Sequence, residues 1–397
     1  MSRGAVAASS HEIDVHHHFV WGTEKEAMET LLSEYQDRNP DVQFAEEQTA
    51  INSLRLMVKS RILKEEPPDV WDEWPGANLR PTVEAGATAD ITDIWEEAGM
   101  ERAYFDGVAE AARFDGEYHA VPLDLARISN LYFDVHAFEA AGVDPAHLDG
   151  PRELVEVLPA LAEHRANPYA VFGRNPYGLL QLWETLFLAH GDPGTYEAAV
   201  DGDAAAHRGL LREAFETLGD LIDAGPENIE FMDSSDMDSG FSDGETACIN
   251  NGSWTTGHMG SQPDIEYGRD WDCIPFPGTG DAHLVNTNAF ITSADAEDDE
   301  TVREFVRYLG SARTNEQFNT ISGSIPPRSD VGVEGIHPLS RELHSEFDRG
   351  ATMLPSMCHG LAVPPERIAE LKDAVATFLS KRDVERSVDS VVETLSE

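Results

Sequence analysis

The chain has 397 residues, with 74 Asp and Glu against 28 Lys and Arg, a formal net charge of −46. That excess argues against a nucleic-acid partner, whose phosphates need a basic surface, and against docking on an anionic membrane. Hydrophobic residues at 41 % are ordinary for a folded chain, and the length suits two domains or one large one.

The acids are spread along the whole chain and form no tail, and only five lysines occur: Lys25, Lys59, Lys64, Lys372 and Lys381. A diffuse carboxylate surface of this kind fits work in concentrated salt, where screening acts within about 3 Å at 1 M. Three cysteines, Cys248, Cys273 and Cys358, match no zinc spacing; one pair, Cys248 with Cys273, could bridge, or all three are buried thiols. The compartment is therefore not decided by cysteine usage.

Met1–Ser10 lacks a basic start followed by an apolar stretch, so it is not a complete signal peptide, and no lipidation cysteine is near it. Ala5-Val6-Ala7 has the small residues of a site where such a peptide ends. Ile13–Phe19 reads as a strand. Thr23 and Glu26 form a capping box for a helix whose apolar face is Ala27, Met28, Leu31, Leu32 and Tyr35. Asn39-Pro40 ends it, and Val42–Glu46 is a second strand. The helix Asn52–Lys64 carries Leu54, Met57, Val58, Ile62 and Leu63 inward; Pro67-Pro68 stops it, and Asp69–Trp74 is a third strand. This β-α-β-α-β order implies a parallel sheet with helices on its faces.

Tyr118–Leu125 and Ser129–Phe133 are extended. Helices follow at His136–Ala141, Arg152–Arg165, Gly178–His190 and Ala205–Asp223, and short strands at Ala247–Asn250, Trp271–Pro275 and Asn288–Thr292. The helix Glu300–Ser311 turns Val302, Phe305, Val306 and Leu309 inward, and two more helices close the chain with Ile368, Leu371, Val375 and Phe378, then Val384, Val388, Val391 and Leu395. A return of Asn288–Ser311 to the first sheet would make two domains joined by more than one crossing. No repeat of 20–50 residues is visible, which excludes a solenoid.

Seven motifs in order resemble the extracellular solute-binding proteins of family 1, the sugar-binding components of ABC importers, and most nearly their glucose/mannose type. They are Gly22-Thr23-Glu24; Pro67-Pro68-Asp69-Val70 with Trp74-Pro75-Gly76-Ala77-Asn78-Leu79-Arg80; Val121-Pro122-Leu123 through Arg127 with Asn130-Leu131-Tyr132-Phe133; Asn175-Pro176-Tyr177 with Leu180–Glu184; Asp243–Ala247 with Asn251-Gly252-Ser253-Trp254; Gly323–Arg328; and Ser356-Met357-Cys358-His359-Gly360. The resemblance spans about Val15 to Ser396. It implies an α/β, two-lobed periplasmic-binding-protein-like fold of the maltose-binding-protein type, each lobe a sheet flanked by helices. The lobes would be 11–122 with 282–325 and 126–280 with 328–397, hinged near 122–126, 280–282 and 325–328. It implies hinge closure over a sugar in the cleft, delivery to the permease's transmembrane subunits, an extracellular place of work, a monomer, no cofactor and no catalysis.

A pyranose offers apolar C–H faces to aromatic rings and a rim of hydroxyls to planar polar groups. The resemblance points to Phe19, Trp21 and Glu24 at the exit of the first strand, Trp74 at the next exit, and Asn288. On the other lobe it points to Tyr177, Trp254 and His359, and to Arg127 as a hydroxyl ligand or an inter-lobe ion pair. The sequence departs from the family at several of these. His18-Phe19-Val20-Trp21 replaces adjacent tryptophans, and Trp74, Asn288, Ser322 and Tyr177 replace His, Asp, Lys and Trp. The changes at Trp74, Asn288 and Ser322 put glucose itself in doubt and suggest another neutral sugar or a different epimer.

His16-His17-His18 could hold a metal only through His16 and His18, since strand neighbours point to opposite faces, and further ligands are lacking. The rival classes are a glycosidase working with a carboxylate pair and a polypeptide-binding scaffold. Acid pairs are everywhere in this chain, and no Gly-x-Ser-x-Gly, Walker or His-Glu-x-x-His motif is present.

Overall fold

The computed structural model describes residues 11–396, so the reading of Met1–Ser10 lies outside the described residues. The chain divides into two compact units. Unit 1 runs to Pro75 and takes in Leu79–Leu125 and Thr287–Ile336; unit 2 takes Gly76–Asn78, Ala126–Asn286 and the chain from His337 onward.

Unit 1 is built on β1 (His11–His17), α1 (Gly22–Arg38), β2 (Val42–Gln48), α2 (Ile51–Ile62) and β3 (Val70–Glu73). β1 pairs in parallel with β2 and β3, Val15 lying opposite Glu46 and Val70. The strand Ala289–Thr292 then pairs antiparallel with β3, and Ala120–Pro122 antiparallel with it, so the expected parallel sheet is mixed. Its fourth strand is the returning segment, supported by the helix Glu300–Leu309, which buries Val302, Phe305, Val306 and Leu309 and is capped by Asp299. α1 buries the face read from its periodicity. Its expected capping box is absent: the Thr23 hydroxyl donates instead to the Ser322 carbonyl, 2.9 Å away. In α2 only Leu54 and Val58 are buried, and Leu63, expected inward, is 78 % exposed.

Unit 2 holds two three-stranded sheets. In one, Asn130–Asp134 lies between Trp271–Pro275 and Cys248–Asn250, all antiparallel. In the other, Ala282–Asn286 pairs in parallel with Thr352–Pro355 and antiparallel with Ala126–Arg127. The helix Pro176–His190 runs through the core with every residue from Gly178 to Ala189 buried. Each fully buried Leu, Phe or Trp there contributes about 1.5–3 kcal/mol. All three cysteines are buried and none is in a disulfide.

The crossings between units fall at Pro75/Gly76, Asn78/Leu79, Leu125/Ala126, Asn286/Thr287 and Ile336/His337. The last two lie beyond the expected 280–282 and 325–328. Ala282–Asn286 is held by unit 2 strands. Pro327 and Ser329 are held in unit 1: Phe105 N–H donates to Pro327 O (3.0 Å), and Ser329 N–H to Ala103 O (2.7 Å).

Candidate functional site

At the end of β1 the chain leaves the sheet through His18, Phe19, Val20 and Trp21. Phe19 turns inward and is fully buried, edge-on to Phe318 at 5.2 Å and against His18 at 4.7 Å between ring centroids. It offers no surface to a ligand, which corrects the expectation for it. Trp21 is 53 % exposed, on extended backbone just ahead of Gly22, whose φ of +63° suits a residue without Cβ.

Behind this loop lies a buried polar cluster. His18 Nδ1 is bonded to Asp72 Oδ2, and Asp72 Oδ1 is buried without a hydrogen-bond partner among the described residues. Asp124 accepts from the Asn288 side-chain amide through both oxygens, at 3.1 and 2.9 Å, and from the Asn288 backbone N–H at 3.0 Å. Burial alone would lower the His18 pKa, but the Asp72 carboxylate, with Glu24 and Asp124 nearby, lifts it to about 9. Burial pushes Glu24 up to about 7, against the pull of His18 and with the help of Asp124 and Asp72. Burial also pushes Asp124 up to about 6, although the Asn288 bonds work the other way. Part of Glu24 still reaches solvent, so the field of its neighbours is partly screened.

Trp74 is buried, donates its indole N–H to Asn288 Oδ1 (2.9 Å), and lies under the Arg55 guanidinium at 3.9 Å. Asn288 thus joins Trp74 to Asp124. These bonds use both ends of its side-chain amide, which braces the cluster.

Unit 2 brings Tyr177, Trp254 and His359 together. The His359 ring lies 5.2 Å from Tyr177 and 5.7 Å from Trp254, centroid to centroid. His359 is fully buried, whereas Tyr177 and Trp254 keep partial exposure. Trp254 rests on Gly252, where a Cβ would come within 2.2 Å of the indole. His359 Nδ1 lies 2.8 Å from Ser356 Oγ, and its Nε2 is bonded to the Tyr177 hydroxyl. Ser356 donates to Glu184 Oε1 (2.6 Å), while Glu184 Oε2 accepts from the Met357 N–H (2.8 Å) and the Cys358 N–H (3.2 Å). With Glu184 ionised, the protons run one way: Tyr177 to His359, His359 to Ser356, Ser356 to Glu184. Burial raises Glu184 to about 7 against these bonds.

Arg127 is fully buried, bonded to Glu346 (2.6 Å) and Asn130. Glu346 also belongs to unit 2, so this ion pair lies within one unit and not between lobes, and the guanidinium is an internal strut. The three adjacent histidines each bond a different carboxylate, namely Asp14, Glu46 and Asp72. Among the described residues, one group of metal-type donors comes within 4.8 Å, Glu184, Cys358 and His359, and all three are engaged: the carboxylate and imidazole by the bonds above, the thiol by the Tyr177 carbonyl at 3.5 Å.

The family model for bacterial extracellular solute-binding proteins matches residues 30–335. The chain belongs to that family. Among similar proteins, an uncharacterized ABC transporter extracellular-binding protein of Pyrococcus horikoshii is 24 % identical, covering 97 % of this chain and 87 % of the relative. The xylose/arabinose-binding protein of Haloferax volcanii is 25 % identical, covering 97 % and 85 %. A solved chitin oligosaccharide binding protein matches with a TM-score of 0.85 at 20 % identity, over 98 % of both chains. These likenesses show the two-lobed α/β fold of the maltose-binding-protein type. No helix among the described residues is long and apolar enough to cross a membrane.

Sequence reading did not single out His18, Asp72, Asp124 or Glu184, which the structure places in these two polar clusters. Asp124 and Glu184 sit inside two of the quoted motifs, and His18 was absorbed into the histidine triplet. In a chain with 74 acids, nothing local marks the few that are buried.

Proposed function

We propose that this solute-binding protein captures a neutral sugar, a monosaccharide or short oligosaccharide, without chemical change, and passes it to the transmembrane subunits of an ABC importer outside the cell. What carries the reading is the Trp254–His359–Tyr177 group, with two half-exposed ring faces beside a continuous hydrogen-bonded chain. Rings of this kind take the C–H faces of a sugar, and the polar edges take its hydroxyls. The names of the relatives point the same way, to xylose, arabinose and chitin oligosaccharides. Within the proposal Trp254, Tyr177 and His359 of unit 2 are ligand-binding residues, as are Trp21, Glu24, Trp74 and Asn288 of unit 1. Phe19 and Arg127 act from behind, as packing and as a strut. The protein works as a monomer in concentrated salt, and closure follows from tighter binding to the closed form.

A thermal-shift and calorimetric screen in molar KCl tests this, with xylose, arabinose, glucose, mannose, galactose and chitobiose. One sugar at a hundred times its Kd should stabilise the fold by about 2.7 kcal/mol and be recovered intact. No stabilisation by any saccharide, or release of a hydrolysed product, overturns the reading.

A further inference from the structure

One surface of unit 1 breaks the rule of the rest of the chain. From Ile51 to Lys64 there are four basic residues, Arg55, Lys59, Arg61 and Lys64, and no acid, in a chain of net charge −46. Two of the five lysines are here; the acids resume only at Glu65 and Glu66. α2 buries Leu54 and Val58 on one side, and Leu63 at its end keeps helical dihedrals. At 100° per residue, Leu56, Lys59, Ser60 and Leu63 fall within an arc of about 100° on the opposite side. Leu56 is 71 % exposed and Leu63 78 %, so two of the four large exposed hydrophobic side chains among the described residues lie on this one face. Lys59 and Lys64 are exposed beside them and make no ion pair among the described residues, whereas Arg55 and Arg61 are paired with Glu73 and Asp14. Bare leucines flanked by unpaired lysines are costly to keep on a surface that is otherwise carboxylate, unless something covers them.

We propose that the outer face of α2 is a docking surface for an acidic polypeptide segment of the importer's membrane subunit, with Leu56 and Leu63 as apolar anchors and Lys59 and Lys64 as charge partners. The naming of the partner rests on the transport reading above; the surface does not. Charge complementarity selects the occupant. An extended plane of anionic headgroups would also press on the exposed carboxylates that border the patch, Glu65 and Glu66, while a short acidic segment can meet Lys59 and Lys64 alone. In concentrated salt the lysines would set register and the leucines would supply the affinity.

The test is photo-crosslinking in cells that express the importer, with a benzoylphenylalanine at position 56 of the full chain. The expected product joins this position to an acidic peptide of an integral membrane protein, and the yield drops by about tenfold or more in the Lys59→Glu/Lys64→Glu background. The same background must keep its melting temperature and its sugar affinity, since neither lysine belongs to the proposed sugar site. Crosslinks to lipid would replace the inference with a membrane contact. No crosslink, or one that ignores the charge reversal, overturns it. The sugar screen reads the transport assignment separately, so either can fail alone.

Discussion

Trp254 and Gly252 form a pair in which one residue makes room for the other. The indole occupies the space a Cβ would need, so the ring's position depends on the glycine. Trp254→Ala should weaken sugar binding by about 1–3 kcal/mol with little loss of melting temperature. Gly252→Ala should weaken binding too, by displacing the ring, and calorimetry on both variants checks the pair. If Gly252→Ala binds as the native protein does, the ring is not where binding needs it. At the His18 cluster the sign of the pH effect follows from the direction of each shift. His18 is raised from 6.5 to about 9, so the folded state holds a proton the unfolded chain has lost between those values. The stability this contributes is present below pH 6.5 and lost as pH rises through 9. Glu24, raised from 4.5 to about 7, acts with the same sign over its own window. Melting temperature should therefore fall from pH 6.5 to 9, and His18→Gln should flatten that fall; an unchanged slope would show that the histidine does not carry it.

Among the elements, the buried helix Pro176–His190 joins packing to function. Its apolar residues secure the core of unit 2, and its single internal carboxylate, Glu184, holds the amides of Met357 and Cys358 and the hydroxyl of Ser356. Glu184→Ala would remove an acceptor from the Ser356 and Tyr196 hydroxyls and the Met357 and Cys358 N–H groups, at about 1–3 kcal/mol for each donor left with no other partner. Urea unfolding should report the loss, and sugar affinity should fall as His359 loses its anchored neighbour. Leu186→Ala, by contrast, should cost about 2–5 kcal/mol of stability and leave the affinity of the folded fraction alone. The pattern of this helix was readable because its apolar run is long and begins at Asn175-Pro176. That of β1 through β3 was readable because turn residues punctuate it. The capping box at Thr23 was misread because a partner 299 positions away, the Ser322 carbonyl, takes the hydroxyl. The strands Ala282–Asn286 and Thr352–Pro355 went unread because two short apolar runs become strands only by pairing with each other.

For the molecule as a whole, net charge sets the conditions of folding. With −46 spread over the surface, self-repulsion should lower stability at low ionic strength and relax as screening shortens to about 3 Å at 1 M salt. Melting temperature should rise steadily from 0.05 to 1 M KCl; a flat curve would remove salt adaptation from the reading. Fold class was legible because seven motifs stand in the family's order even where single residues depart from it. Which residues face a ligand was less so, because burial decides it. Phe19 and Arg127 have the right chemistry at the right motif and are turned inside.

The division of the chain has a consequence for biosynthesis. Unit 1 is not finished until Thr287–Ile336 has been made, because the strand Ala289–Thr292 is the fourth of its five. At about 5–20 residues per second, the ribosome spends roughly ten to thirty seconds on Ala126–Asn286 while β3 waits with an open edge. An edge left bare for that long is a target for wrong partners. A holding chaperone, or passage through the export channel before that edge is closed, would be most valuable in this interval, and a slow codon run placed within Ala126–Asn286 should raise the yield of aggregates.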